Sequence, residues 1–261
     1  MSAKIIDGKA LALELRREIA KEVEQLCLRN ARPGLAVVLV GDDPASQIYV
    51  RNKEKACNEA GIYSETIRLS AEISQEELLE VVGKLNNRPD LHGILVQLPL
   101  PKHIDSDAVI SSVAPEKDVD GFHPVNVGKL VLGLEGTKPC TPNGCLFMLK
   151  KCGIEIEGKK AVVVGRSTIV GKPMALMLLQ ENATVSICHS RTKDLASYTR
   201  EADILVVAVG KPGIITADMV KPGAAVLDVG MNRLPDGSLA GDVDFAGASK
   251  VAGWITPVPG G

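Results

Sequence analysis

The chain has 261 residues, 45% of them hydrophobic and 24% charged, and its formal net charge is −2. This length allows one large domain or two ordinary ones, with enough apolar residues for a globular core. A near-neutral charge without a long basic run argues against a nucleic-acid or membrane partner, and no apolar run is long enough to predict a transmembrane helix.

The N-terminus and the cysteines indicate a cytoplasmic protein. The segment MSAKIIDGKA lacks the apolar stretch of a signal peptide. The cysteines include no Cys-x-x-Cys pair, so we predict reduced thiols rather than a disulfide scaffold, and no metal site. They are Cys27, Cys57, Cys140, Cys145, Cys152 and Cys188.

The first half of the chain alternates strand patterns with helix patterns. GLAVVLVG, residues 34–41, is β-branched and bounded by glycines, which is typical of a buried strand. A helix is predicted over residues 44–60, followed by the strand SETIRL, the helix SQEELLEVVGKL capped by Ser74, and the strand GILVQL. This alternation predicts parallel strands with helical crossovers.

A polar, loop-like segment, SSVAPEKDVDGFHPVNVGKL, interrupts the alternation before the helix-like CTPNGCLFMLKKCGI. A second series then begins, in which KKAVVVG, TVSICH, ADILVVAVG and GAAVLDVG are four further predicted strands. We therefore predict an α/β protein with an N-terminal lobe, residues 1–140, and a C-terminal lobe, residues 141–261. The expected ligand site is the cleft between the lobes.

The segment AVVVGRSTIVGKP runs in the order strand, glycine turn, helix, which places backbone N–H groups where a pyrophosphate could bind. Gly165 fits the first glycine of the dinucleotide-binding pattern. Ser167 occupies the second glycine position, and Gly171 falls one place late for the third. A tight turn between a strand and a helix explains the segment nearly as well.

The residues after the next predicted strand favour NADP over NAD. Dinucleotide domains that bind NAD usually carry an acid there for the ribose hydroxyls. This chain has Ser190 and Arg191, with no acid before Asp194. A hydroxyl and a guanidinium bind a 2′-phosphate that a carboxylate would repel, and Arg166 adds a second positive charge. The alternative is an ordinary exposed loop.

Ten motifs in order cover essentially the whole chain: KIIDGK, PGLAVVLVGDDPASQIYVRNKEKAC, GILVQLPLP, PEKDVDGFHPVNVGKL, PCTPNG, GRSTIVGKP, VAVGKPG, DVGMNR, GDVDF and ITPVPGG. Together they resemble the methylenetetrahydrofolate dehydrogenase/methenyltetrahydrofolate cyclohydrolase family. The resemblance implies NADP-dependent oxidation of 5,10-methylenetetrahydrofolate to the methenyl compound, followed by hydrolysis to 10-formyltetrahydrofolate. It also implies an N-terminal catalytic lobe, a C-terminal Rossmann lobe that binds NADP, a folate site in the cleft between them, and a homodimer.

By this resemblance, Tyr49 matches the family's folate-site tyrosine, Lys53 its catalytic lysine and Gln97 the glutamine beside that lysine. Residues four apart on a helix share a face, so Tyr49 and Lys53 are expected to point the same way. An aromatic ring and hydroxyl can bind the pterin or aminobenzoyl group, and an amine can transfer the protons of hydrolysis. A neutral amide orients that amine without holding it as a salt-bridged cation.

The resemblance assigns further folate contacts. Asp120 matches the pterin-binding aspartate, because a carboxylate accepts the two parallel donors of an aminopyrimidinone edge. Asp118 is expected to be structural. Pro259 and Gly260 are expected to shape the folate site. Family members continue past TPVPGG, so we expect closure of the folate loop to depend on residues beyond Gly261.

Three other functions are compatible with parts of this sequence. Short-chain dehydrogenases also carry Tyr-x-x-x-Lys, but after their glycine-rich turn, whereas Lys53 precedes Gly165 by more than a hundred residues. A nucleotide-sensing or scaffold protein could use the same two-lobe fold. A monofunctional dehydrogenase would lack the hydrolytic step. The combination of Lys53 with Gln97 favours both activities.

Overall fold

The computed structural model describes residues 2–261, which form two compact units. The six-stranded unit combines the described residues up to Ala12 with Pro139–Gly261, and the three-stranded unit is Leu13–Lys138. The boundary after Ala12 falls inside the helix α1 (Gly8–Cys27). No sequence pattern predicts that the N-terminal residues join the C-terminal half of the chain.

The sheet of the three-stranded unit consists of β2 (Gly34–Val40), β3 (Tyr63–Leu69) and β4 (Gly93–Val96). All neighbours are parallel, and the order is β3-β2-β4. A helix follows each of the first two strands, which confirms the predicted alternation. The helices that lie wholly in this unit are α2 (Pro44–Ala60), α3 (Gln75–Asn86), α4 (Ser106–Ser112) and α5 (Pro124–Leu132).

The central strand β2 is buried because helices cover both faces of this sheet. Successive side chains of a strand point to opposite faces. Val38 packs in a cluster with Leu78 of α3, whereas Val37 packs with Val50 of α2. The helix α2 therefore lies on one face of the sheet and α3 on the other.

Side chains cap the first turns of the helices α2 and α3 in this unit. Ser74 accepts a hydrogen bond from the backbone N–H of Glu77, and the Glu77 carboxylate accepts one from the backbone of Ser74, as the predicted cap requires. At the start of α2, the Asp43 carboxylate accepts a hydrogen bond from the Ser46 N–H at 2.8 Å. The helix α2 ends at Gly61, whose φ of 80° lies in the left-handed region.

The six-stranded unit contains one parallel sheet and one short antiparallel hairpin. The sheet confirms the four strands predicted for the second half of the chain and adds two short ones that no pattern predicts. Its strands are β1 (Lys4–Ile5), β5 (Lys160–Val164), β6 (Thr184–Cys188), β7 (Ile204–Val207), β8 (Ala225–Asp228) and β11 (Trp254–Ile255). The remaining elements are α6 (Cys140–Lys151), α7 (Gly171–Gln180), α8 (Leu195–Thr199), α9 (Phe245–Ala248), the 3₁₀ turn Ala217–Met219, β9 (Asn232–Arg233) and β10 (Leu239–Ala240).

The strand order of the large sheet, β1-β11-β8-β7-β5-β6, contains a reversal. From β5 the chain moves outward to β6 and then returns to β7 on the other side of β5. Such a reversal leaves a crevice outside the carboxyl ends of the two strands, where open α/β sheets bind ligands. The fold therefore places a ligand site beyond β5 and β7.

The remaining global features concern thiols, metals and membranes. The cysteines form no disulfide among residues 2–261, and burial raises the pKa of the Cys145 thiol to about 12. Within the same residues, no cluster of three or more His, Cys, Asp or Glu side chains is arranged to hold a metal ion. No helix of the described chain has the length and apolar character needed to cross a membrane.

Candidate active site

The first candidate group lies in the three-stranded unit, where α2 meets the carboxyl end of β4. Lys53 is half-buried on α2, and its Nζ donates a hydrogen bond to Oε1 of Gln97 at 3.1 Å. Gln97 directly follows β4, and its Nε2 donates to the Leu98 carbonyl at 2.7 Å. The second hydrogen bond fixes which end of the amide faces the lysine. Lys53 therefore has a neutral, oriented acceptor as its partner.

Tyr49 lies one helical turn before Lys53 on α2. Residues at this spacing occupy the same face of a helix. The tyrosine is 50% exposed, so its side chain is accessible to a ligand. The structure thus has an accessible aromatic ring on the helix face that carries the lysine.

Asp120 belongs to the same group as Lys53. Burial raises the pKa of its carboxyl, the positive charge of Lys53 lowers it, and the negative charge of Asp118 raises it further. The effect of Lys53 on Asp120 means that the two charges lie close enough to interact. The structure therefore joins Lys53 to Gln97 by a hydrogen bond and puts Asp120 within electrostatic range of the lysine, although the three are far apart in the sequence.

Asp118 has the structural role expected of it. Its buried carboxylate accepts hydrogen bonds from the backbone N–H groups of Gly121 at 3.1 Å and His123 at 2.9 Å. Nδ2 of Asn126 donates to it at 2.9 Å and to the Pro115 carbonyl at 2.8 Å. These contacts fix the loop on which Asp120 is located.

The second candidate group lies in the six-stranded unit, at the glycine turn that follows β5. Gly165 has a φ of +134°, and a Cβ at this position would collide with the Ala208 carbonyl just after β7. Its N–H donates to the Cys188 carbonyl at the end of β6, at 2.8 Å. The turn therefore approaches the ends of both neighbouring strands, and it needs glycine to do so.

Ser167 explains the departure from the usual glycine pattern. Its Oγ accepts hydrogen bonds from the N–H groups of Val170 at 3.1 Å and Gly171 at 3.2 Å. These N–H groups are at the start of α7, where helical partners are missing. The hydroxyl thus completes the turn, and Gly171 is buried in the first turn of the helix.

Arg166, Ser190 and Arg191 are exposed at the same edge of the sheet. Val164 of β5 is paired in register with Cys188 of β6, so Arg166 and Ser190 each follow their paired residue by two positions. Neighbouring strands lie about 4.8 Å apart, so the two residues follow adjacent strand ends at the same edge of the sheet. Two guanidinium groups, a hydroxyl and the N-terminus of a ten-residue helix fit the phosphates of NADP.

Pro259 and Gly260 belong to the six-stranded unit, whereas Tyr49, Lys53 and Gln97 belong to the three-stranded unit. The Gly260 carbonyl accepts a hydrogen bond from the N–H of Lys9 at 3.3 Å. Pro259 is exposed.

Sequence reasoning gave no role to Asp228 and Asp242, in the motifs DVGMNR and GDVDF. Both are buried in the six-stranded unit, and both carboxylates accept several backbone hydrogen bonds. Each acid has a glycine next to it or near it, and Asp228 ends a buried strand. These two features of the sequence could have identified the acids. Most of their partners lie 10 or more positions away in the sequence, so local patterns do not reveal them.

Two family models match the chain, one over each half. The model for the catalytic domain of tetrahydrofolate dehydrogenase/cyclohydrolase matches residues 6–120. The model for the NAD(P)-binding domain of tetrahydrofolate dehydrogenase/cyclohydrolase matches residues 139–261.

Individual relatives are similar over the full length of the chain. The bifunctional protein FolD of Moorella thermoacetica is 62% identical over 261 residues, covering 100% of this chain and 93% of that protein. The crystal structure of the bifunctional enzyme FolD, methylenetetrahydrofolate dehydrogenase/cyclohydrolase, from Campylobacter jejuni superimposes with a TM-score of 0.98 at 52% identity, covering 100% of this chain and 93% of that one. The Trypanosoma brucei dehydrogenase-cyclohydrolase, crystallised with NADP cofactor and inhibitor, gives a TM-score of 0.95 at 42% identity over 100% of this chain and 92% of that one.

Proposed function

The chain belongs to the tetrahydrofolate dehydrogenase/cyclohydrolase family, and from this membership we propose that it catalyses two consecutive reactions. It oxidises 5,10-methylenetetrahydrofolate to 5,10-methenyltetrahydrofolate with NADP⁺, and it hydrolyses the methenyl compound to 10-formyltetrahydrofolate. The observation that best supports both activities is the Lys53–Gln97 hydrogen bond of 3.1 Å. Lys53 also interacts electrostatically with Asp120. A dehydrogenase that lacked the second activity would not need this arrangement.

The dehydrogenase step depends on binding and orientation. NADP⁺, when bound, supplies the acceptor for the hydride that leaves the methylene carbon. Gly165, Ser167 and Gly171 form the turn that receives the pyrophosphate at the start of α7. Arg166, Ser190 and Arg191 supply the donors for the 2′-phosphate. The product is a cation stabilised by the folate nitrogens, so no side-chain base is required and positioning is the main contribution of the protein.

The hydrolytic step depends on proton transfer by Lys53. Water adds to the methenyl carbon, and the bond between that carbon and N5 then breaks. One of the two protons of this water molecule ends on N5, and the other is released to solvent. The Lys53 amine takes a proton from the attacking water and returns one to N5, while Gln97 keeps the amine oriented toward the reacting carbon. Asp120 accepts hydrogen bonds from the pterin edge, and Tyr49 packs against the folate.

Substitution of Lys53 tests this assignment. We expect Lys53→Met to reduce the rate of methenyltetrahydrofolate hydrolysis by about 100-fold or more, because the proton transfer would be lost. The matched control is Lys55→Met, two residues away, which removes an exposed lysine paired with Glu59. The rate is measured from the loss of methenyl absorbance. Hydrolysis at the full wild-type rate in Lys53→Met would refute the role of Lys53.

The domain division and the assembly also belong to this proposal. The folate-binding catalytic domain is assigned to residues 1–140 and the NADP-binding domain to residues 141–261, a division that the ranges of the two family models support. By compactness alone, residues 2–12 belong instead to the six-stranded unit. The protein acts as a homodimer in the cytoplasm, as the family resemblance implies. Light scattering that returned the 27.6 kDa of one chain would contradict the homodimer, and cell fractionation tests the location.

A further inference from the structure

The loop that follows β7, residues 208–211, borders the crevice of the six-stranded sheet. The reversal of strand order places that crevice beyond the carboxyl ends of β5 and β7. Gly165, in the turn after β5, lies so close to the Ala208 carbonyl that no side chain would fit between them. The conformation of the loop therefore determines one wall of the crevice.

A carboxylate from a distant part of the chain holds this loop. Asp242 is fully buried, and it accepts hydrogen bonds from the three consecutive backbone N–H groups of residues 209, 210 and 211 at 2.7, 2.9 and 2.8 Å. Nδ2 of Asn232 donates a fourth at 2.9 Å. Consecutive N–H groups converge on one anion only when the backbone is curled into a concave nest. Here the anion that fills the nest is a side chain of the protein itself.

A second carboxylate holds Asp242 in place. Asp228, at the end of β8, accepts hydrogen bonds from the backbone N–H groups of Asp242 at 2.9 Å and Val243 at 2.9 Å. It also accepts one from Gly230 at 3.0 Å, and a Cβ at Gly230 would collide with the Asp242 carboxylate. The loops after β7 and β8 are thus tied to one another through two buried acids.

The occupied N–H groups limit what the loop can offer to a ligand. Because residues 209–211 direct their N–H groups to Asp242, these groups cannot bind the cofactor's pyrophosphate. Val209 is 38% exposed, so the loop also presents an accessible apolar surface. Such a surface contributes through its shape and position, which the nest fixes.

We propose that Asp242 is a positioning residue for NADP, holding loop 208–211 in the conformation that forms the cofactor crevice. This inference rests on the proposed function, since it assumes that the crevice binds NADP. It concerns only the dehydrogenase step, because hydrolysis of methenyltetrahydrofolate consumes no cofactor. The two activities of one protein therefore separate a cofactor effect from a general loss of structure.

The test is Asp242→Asn, which preserves size but replaces one acceptor oxygen with an NH₂ group that faces the loop's N–H donors. We expect the KM for NADP⁺ to rise about tenfold or more, as expected from lost hydrogen bonds to a charged group, with methenyl hydrolysis unchanged. NADPH binding, followed by fluorescence titration, should weaken by the same factor. Asp244→Asn is the matched control, because Asp244 caps α9 through the Gly247 N–H at 3.2 Å and has no part in the nest.

An unchanged KM for NADP⁺ in Asp242→Asn would overturn the inference, and so would equal losses in both activities. If Asp242→Asn does not fold, Asn232→Ala decides, since it removes one of the four donors and leaves the carboxylate in place. We expect this variant to raise the KM for NADP⁺ without slowing hydrolysis, and no change in KM would reject the proposal. Absence of turnover in the wild-type chain would instead refute the proposed function.

Discussion

Lys53 has a neutral hydrogen-bond acceptor and interacts electrostatically with a carboxyl group. Gln97 accepts its hydrogen bond at 3.1 Å. Burial raises the pKa of Asp120, and the positive charge of Lys53 opposes that rise. A carboxylate in place of Gln97 would form a salt bridge with the lysine, whereas the amide orients it through a hydrogen bond alone. The hydrogen bond therefore orients the amine, as the proposed proton transfer requires.

At the cofactor site, Arg191 is expected to contribute most to the preference for NADP over NAD. Arg191 donates its backbone N–H to Nδ1 of His189 at 3.1 Å, so Arg191→Ala preserves that turn and removes only the guanidinium. We expect the KM for NADP⁺ to rise about tenfold or more while the KM for NAD⁺ changes little, because only NADP⁺ carries the 2′-phosphate. Initial rates with each cofactor measure both constants.

The exposed Lys193, two residues further on, gives the matched control for that prediction. Lys193→Ala removes one positive charge from the same surface and should leave the preference for NADP⁺ unchanged. If Arg191→Ala weakened both cofactors equally, Arg191 would not be the residue that recognises the 2′-phosphate.

Single residues also show how far the sequence alone can be used. Family motifs predicted that Lys53 and Gln97 would be neighbours, and the structure joins them by a hydrogen bond although they are 44 positions apart in the sequence. The orientation of the Gln97 amide depends on the Leu98 carbonyl, which only the structure reveals. The nest filled by Asp242 joins residues about 30 positions apart, and no local pattern encodes such a contact.

At the scale of elements, α2 carries both Tyr49 and Lys53, so its N-terminal turn bears on the site. Asp43 caps this turn by accepting the Ser46 N–H at 2.8 Å. We expect Asp43→Ala to lower the melting temperature by about 2–4 °C, because an N-terminal N–H would lose its partner. Asparagine is an equally good cap, so Asp43→Asn should melt within error of the wild type. Calorimetry measures both, and equal losses in the two variants would show that capping is not the cause.

Elements with their own periodicity are predictable from the sequence, and those without it are not. The strand β2 is a continuous apolar run, and Ser74 precedes Glu77 at capping-box spacing, so both are recognised locally. The strands β1 and β11 have two residues each and pair Lys4 with Trp254. Their existence depends on that distant pairing rather than on any pattern within them.

At the scale of the whole molecule, the chain combines one unit suited to proton transfer with another suited to NADP. Each unit has its own parallel sheet, and each matches one domain of the same family. The product of the dehydrogenase reaction is the substrate of the hydrolase reaction, so a bifunctional enzyme should release little of the methenyl compound. This expectation distinguishes it from a dehydrogenase alone.

The most direct test is an assay of the purified chain with 5,10-methylenetetrahydrofolate, run separately with NADP⁺ and NAD⁺. Reduced cofactor is followed directly, and the methenyl compound is quantified after an acid quench. We predict NADP⁺-dependent turnover with little accumulation of the methenyl compound. Accumulation up to the limit set by uncatalysed hydrolysis, or no turnover with either cofactor, would contradict the bifunctional function proposed here.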